Sequence, residues 1–157
     1  MELTKAELEV FSTASRFVHG RFEKWGRDKT RLPVEFPTFL IVESAQGIID
    51  NGGLQYFFES DWDDKPPYQE FCDAYARIEA REAAKWLAEA VELFPFADPH
   101  LHQERRNEAL ERLWESEAGK LADLDNKLCG CELVWRKLFE YVLRHGAMFE
   151  VGKERRN

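Results

Sequence analysis

Three cysteines and four histidines are the side chains in this 157-residue chain best suited to bind a metal or attack a substrate. Cys129-Gly130-Cys131 suggests zinc, but a closed zinc site takes four ligands and its cysteine pairs are usually spaced by two to four residues. Here the spacing is one, and no second cysteine pair exists to complete a shell. His100 and His102 meet the same objection: two residues apart on a helical turn they point about 200° apart and cannot share a ligand face. Cys72 with His19, His100, His102 or His145 would have the groups of a nucleophile and its base. Cys72 sits between Phe71 and Tyr75 on a segment of helical periodicity, however, where a free cysteine behaves as a small hydrophobe. Asn51-Gly52-Gly53 lacks the Lys and Ser/Thr of a phosphate-binding loop. No catalytic residue, metal ligand or cofactor is therefore assigned from the sequence.

Two other patterns concern recognition rather than bond chemistry. Tyr56, Phe57, Phe58, Trp62, Tyr68, Phe71 and Tyr75 alternate with Glu59, Asp61, Asp63, Asp64, Glu70 and Asp73. Rings provide anchors in a protein interface and carboxylates select the sign of the partner. The same alternation arises when the rings are core and the acids are the outer face of the same elements. Trp62, inside the acidic loop, is the ring expected to lie outside. Glu104, Glu108, Glu111 and Glu115 stand at i, i+4, i+7 and i+11, on one stripe of a helix within roughly 60° of arc. Arg105 and Arg112 lie within i+3 or i+4 reach and would offset the repulsion among them. That stripe is either a charge-laced solvent face or part of a partner-binding surface.

The elements that must position these residues are helices. Thr4 and Glu7 form a capping box, and Leu8, Phe11, Val18, Phe22 and Trp25 recur at helical spacing, which predicts a helix over about 5–25 ended by Gly26. Residues 27–37, with Pro33 and Pro37, read as a connection. A second helix starts near Thr38, with Phe39, Val42, Ala45, Gln46 and Ile49 on one face, and closes at Asn51-Gly52-Gly53. A short aromatic helix over 54–60 follows, and then the acidic loop to Pro67, which opens the next helix. Phe71, Tyr75 and Ile78 line that helix, and after a break near Glu79 the pattern continues over 80–94 until Pro95. Asp98-Pro99 starts a helix over 99–116, a less regular piece spans about 123–130, and a last helix covers about 132–145. No segment shows strand alternation between hairpin turns, so the class is all-α: one domain over 1–157, a bundle of about six to eight helices.

Composition agrees with a globular chain: 44% hydrophobic residues, 33% charged residues, 12 Phe and 5 Trp. There is no apolar run near the roughly 18 residues of a membrane span and no signal-peptide pattern at the amino terminus, and three cysteines suggest no disulfide framework. The cytoplasm is the expected location. The formal charge of −8 argues against direct nucleic-acid binding, which depends on Lys and Arg. Residues 33–75 hold 9 acidic and only 1 basic side chain, so the excess of acid is central. It serves solubility or faces a partner.

Glu43, Gln46, Asn51-Gly52-Gly53-Leu54, Gln55 and the rings of Tyr56, Phe57 and Phe58 resemble the signature of a bacterial helical family named for a DNA-mimic protein. Leu54 stands where Phe is common in that pattern and Ser60 where Asn is expected. Val91-Glu92-Leu93-Phe94-Pro95 and Leu124-Asp125 extend the similarity over about 38–149. The resemblance implies a helical fold and a DNA-mimic role. Joined to the acidic patterns above, it gives as the preferred reading a non-enzymatic regulator whose acidic surface, drawn from Asp61, Trp62, Asp63, Asp64, Glu104, Glu108, Glu111 and Glu115, occupies the DNA-binding face of a transcription factor or another protein with a basic surface. No direct contact with nucleic acid or membrane is expected, and a second subunit could complete the surface as a homodimer. An immunity-type inhibitor of a basic toxin is the alternative in the same class. An enzyme or small-ligand binder would use a pocket of Glu43, Asn51 and Gln55. In the purely structural reading, Asn51-Gly52-Gly53 is a tight turn capped from inside by Glu43 or Gln55.

Overall fold

The computed structural model describes residues 2–116 and 119–151. Seven α-helices carry these residues: α1 (Lys5–Lys24), α2 (Glu35–Glu59), α3 (Tyr68–Arg77), α4 (Arg81–Glu92), α5 (Gln103–Glu115), α6 (Lys120–Leu128) and α7 (Glu132–Arg144). Short 3-10 turns at Lys29–Arg31 and Pro99–Leu101 precede α2 and α5, and no strand occurs among the described residues. The all-α expectation and the helix count both hold.

Local chemistry explains most boundaries. The Thr4 hydroxyl accepts from the Glu7 N–H while the Glu7 carboxylate accepts from the Thr4 N–H at 2.7 Å, the reciprocal box predicted for the start of α1. Gly26 follows at φ +67° and lets the chain leave α1. Glu79, at φ +67°, is the break between α3 and α4. The expected helix over 99–116 is instead a 3-10 turn followed by α5, because Asp98 and His102 carry non-helical backbone angles on either side of Pro99–Leu101. The piece expected to be irregular over 123–130 is mostly α6, whose Leu121, Leu124 and Leu128 are buried at i, i+3 and i+7. Only three residues mark its apolar stripe, too few to stand out among charged neighbours.

The long helix α2 is the axis of the fold and packs against α1, α3, α5, α6 and α7. It is bent at Gly52 and Gly53, whose backbones leave the helical region, so its two halves correspond to the helix from about Thr38 and the short aromatic helix over 54–60 read from sequence. Beyond the bend, Phe57 packs 5.1 Å from both Phe58 and Phe71, and Phe58 lies 4.9 Å from Phe94, all in edge-on pairs. Before it, Phe39 packs on Phe11 and on Phe149, which follows α7 and is fully buried. Burial of such rings contributes about 1.5–3 kcal/mol each, so the aromatics that looked ambiguous in the sequence mainly hold the two ends of α2 in the core.

Candidate partner-binding surface

The acidic loop lies between the end of α2 and the start of α3, and its Asp61, Asp63 and Asp64 are all exposed. Asp64 and Lys65 adopt positive φ (63° and 44°), which turns the chain outward before Pro66 and Tyr68 return it to the core. Trp62 corrects the expectation of an outward ring. It is half-buried, 4.8 Å from Phe71 and 5.6 Å from Phe57, and its indole N–H donates to the Phe57 carbonyl at 3.2 Å. The indole satisfies one of the free carbonyls at the carboxyl end of α2, and so it is drawn inward. Trp62 is therefore the anchor that presents three carboxylates to solvent. Tyr56 is the ring of this region that stands out, 56% exposed.

Glu104, Glu108, Glu111 and Glu115 are exposed along α5. Their first turn meets the acidic loop: Lys65, Glu104, Glu108 and Arg105 line one shallow depression with Leu101 and His102. Arg105 stacks 4.3 Å over Phe96, and among the described residues neither Arg105 nor Arg112 pairs with a glutamate of the stripe. The two arginines lie beside the stripe without closing a salt bridge to it. Arg106 is buried in the other face of α5. Its Nε donates to the Phe58 carbonyl at 2.6 Å and a terminal nitrogen donates to the Pro99 carbonyl at 2.7 Å. A cation on the carboxyl end of α2 is favoured by the helix dipole and ties α5 beside the acidic loop.

A groove of about 760 Å³ opens on the other side of that loop, between it, α1 and α2. Phe22, Ile41, Ile48 and Trp62 form its apolar floor over the buried Leu40 and Phe71. Arg27 reaches across the mouth to Asp63 at 3.3 Å.

The Glu43, Asn51 and Gln55 side chains do not converge. Glu43 accepts from the Ser15 hydroxyl at 2.6 Å and lies 2.7 Å from His19 Nε2, facing α1. Asn51 donates to the Gly47 carbonyl at 2.8 Å, and Gln55 donates to Glu59 along the same helix. The cap of the turn is neither Glu43 nor Gln55: Asp125 of α6 accepts the Leu54 N–H at 2.5 Å. At Gly53, φ +68°, a Cβ would collide with that carboxylate, and at Gly52 it would overlap the Tyr56 ring. The polar cluster that does form was not read from sequence. Gln46, fully buried, donates to Asp50 at 2.6 Å and to the Leu128 carbonyl at 2.8 Å and accepts from Tyr75 at 2.9 Å. Asp50 also accepts from Gly130 N–H at 2.8 Å and from the Trp135 indole at 2.7 Å. The i, i+4 spacing of Gln46 and Asp50 is its signal in the sequence.

This cluster also gives Cys129-Gly130-Cys131 its place. It is the α6–α7 loop, held to α2 through Gly130. Burial, with Asp125 and Asp50 adding to it, pushes the Cys129 thiol up, and burial with the nearby Asp73 pushes Cys72 up to about 11, so neither is an activated thiolate. The histidines are spent elsewhere: His19 on Glu43, His100 edge-on to Tyr68, His102 on Phe96, His145 on Tyr141. Among the described residues no group of three or more His, Cys, Asp or Glu side chains is placed to hold a metal ion, and no helix is long and apolar enough to cross a membrane.

A family model described as DMP19-like protein matches residues 30–145, from the 3-10 turn before α2 to the end of α7. The chain belongs to the DMP19-like family. The bend at Gly52-Gly53 and its cap, Asp125, both fall inside the segment that matches this family, whereas α1 precedes it. The name of the family stands for DNA mimic protein 19. No curated protein and no solved structure matches the chain.

Proposed function

We propose that this DMP19-like chain is a non-enzymatic, cytoplasmic regulator that presents an acidic surface to a protein with a basic, DNA-binding face and occupies that face in place of nucleic acid. The observation that carries this reading is that two acid sets are exposed, Asp61, Asp63 and Asp64 of the loop and the Glu104–Glu115 stripe of α5, and that Lys65, next after the loop's aspartates, shares a depression with Glu104 and Glu108. Carboxylates one helical turn apart rise about 5–6 Å per step, whereas duplex DNA carries one charge per about 1.7 Å of axis. The stripe alone is too sparse to pass for a duplex. The loop supplies the additional charge, and Trp62 fixes it to the end of α2 while Arg106 fixes α5 to the same helix end. A preformed surface keeps the ordering cost of association low.

The test uses a partner captured from a host lysate and then purified. Under this reading, duplex DNA and this protein displace each other from the partner. A ternary complex of all three would show that the partner's DNA-binding face is not the one occupied.

A further inference from the structure

The groove beside the acidic loop has the chemistry of a peptide site rather than of a bare charge mimic. Its floor is apolar, and its edge on the loop and α3 side is acidic, with Asp61, Asp63, Asp64 and Glu70. A duplex of phosphates would have no use for Phe22, Ile41 and Ile48. An amphipathic helix would, because such segments bind by laying apolar side chains into a groove while charges flank them.

We propose that this groove docks a cationic amphipathic helix of the partner protein, with the helix's apolar residues on Phe22, Ile41 and Ile48 and its Lys or Arg side chains on Asp61, Asp63 and Glu70. The inference rests on the reading that the partner is a basic protein and adds the class of segment recognised. Arg27 marks how a guanidinium sits there. It folds back over the Phe22 ring, 5.7 Å from its centroid, and bridges to Asp63 across the mouth. Both side chains of that pair are largely exposed, 59% and 82%, so the bridge is weak and an incoming cation exchanges with it at little cost. Arg27 is therefore an internal competitor for the partner's cation, and removing it uncovers both Phe22 and Asp63.

Three labelled synthetic peptides of about 18 residues test this: a Leu/Lys amphipathic helix, the same helix with every Leu replaced by Ser, and a Leu/Glu helix. Fluorescence anisotropy reports affinity, and the indole N–H resonance of Trp62, assigned with Trp62→Phe, reports the place. The Leu/Lys helix should bind at least about tenfold tighter than the Ser version and shift the Trp62 resonance, and the Leu/Glu helix should not bind. Arg27→Ala should tighten binding by about two- to fivefold, an effect that a merely structural arginine would not produce. Ile41→Ser with Ile48→Ser should weaken it by about tenfold; if that variant loses its helical circular-dichroism spectrum, the Arg27→Ala result alone decides. Equal binding of the Leu and Ser helices, an unmoved Trp62 resonance, or weaker binding by Arg27→Ala would overturn the groove. If the Leu/Lys helix binds at Trp62 as expected while duplex DNA and this protein occupy the natural partner together, the groove stands and the mimicry reading falls.

Discussion

Asp125 on α6 holds the backbone N–H of Leu54 on α2 from 71 positions away, at 2.5 Å. This single contact fixes the bend at Gly52-Gly53, because the second half of α2 begins there with a free N–H that needs an acceptor. The bend in turn points Phe57 and Phe58 into the core and delivers the acidic loop to the surface.

Gly53→Ala should therefore lower the melting temperature. A side chain at φ +68° costs on the order of 1 kcal/mol or more, and here its Cβ would also push Asp125 off its bond. Asp125→Ala should cost about 0.5–2 kcal/mol as a lost cap. The double variant should be less destabilised than the sum, since both changes break one contact. Additive losses in urea titrations would mean that Asp125 does not act through this turn.

Arg106 gives a second stability test. Its guanidinium is 2% exposed and serves the Phe58 and Pro99 carbonyls. Arg106→Met keeps the volume and removes the donors, and should cost about 1.5–3 kcal/mol, the range for hydrogen bonds to a charged group. Unchanged stability in urea would show that water replaces it.

Much of this architecture is legible in the sequence because helix signals are local. The capping box at Thr4 and Glu7, the stop at Gly26, the break at Glu79 and the bend at Gly52-Gly53 each need only a few neighbouring residues. Long-range polar pairing is not legible in the same way. Asp125 sits on α6, too short and too charged to show a clear apolar period, and nothing in its neighbours says that it serves α2. The helical period puts Gln46 on the apolar face of α2, where it lies, but its partners, Tyr75 and the Leu128 carbonyl, come from two other elements. Trp62 misled for a related reason. Its acidic neighbours are outside, while its own indole turns back to a carbonyl at the end of the preceding helix.

The pH dependence of α1 follows from Glu7. Its bond with Arg136, and then its bond with the Thr4 N–H, hold its carboxyl at about 2, below the ordinary 4.5. A depressed folded-state value means that the contribution is fully present above about 4.5 and is lost as pH falls toward about 2. Glu7→Gln should thus lower the urea midpoint at neutral pH, and the gap to the unaltered protein should close across that window. A gap that is constant down to pH near 2 would mean that the carboxylate charge contributes nothing.

Phe57 should be the most costly ring of the region to truncate, because it touches Phe58, Trp62, Tyr68 and Phe71 at once. Phe57→Ala is expected to destabilise by about 3–5 kcal/mol and to loosen the acidic loop through Trp62. Tyr56→Ala, at a ring 56% exposed, should stay within about 0.5 kcal/mol, and comparable losses from the two would contradict the assignment of inner and outer faces.

The central claim, that exposed carboxylates carry partner recognition, is tested most directly by measuring affinity for the captured partner against salt, with Asp61, Asp63 and Asp64 intact and all three changed to Lys. Exposed charges more than a Debye length of about 10 Å at 0.1 M apart are screened from one another, so an acidic surface must lose affinity steeply as salt rises. The account predicts a steep loss between about 0.05 M and about 0.5 M for the unaltered protein, and no binding by the triple variant at any salt with its helical spectrum unchanged. Equal affinity at both salt concentrations, or binding by a folded triple variant, would contradict it.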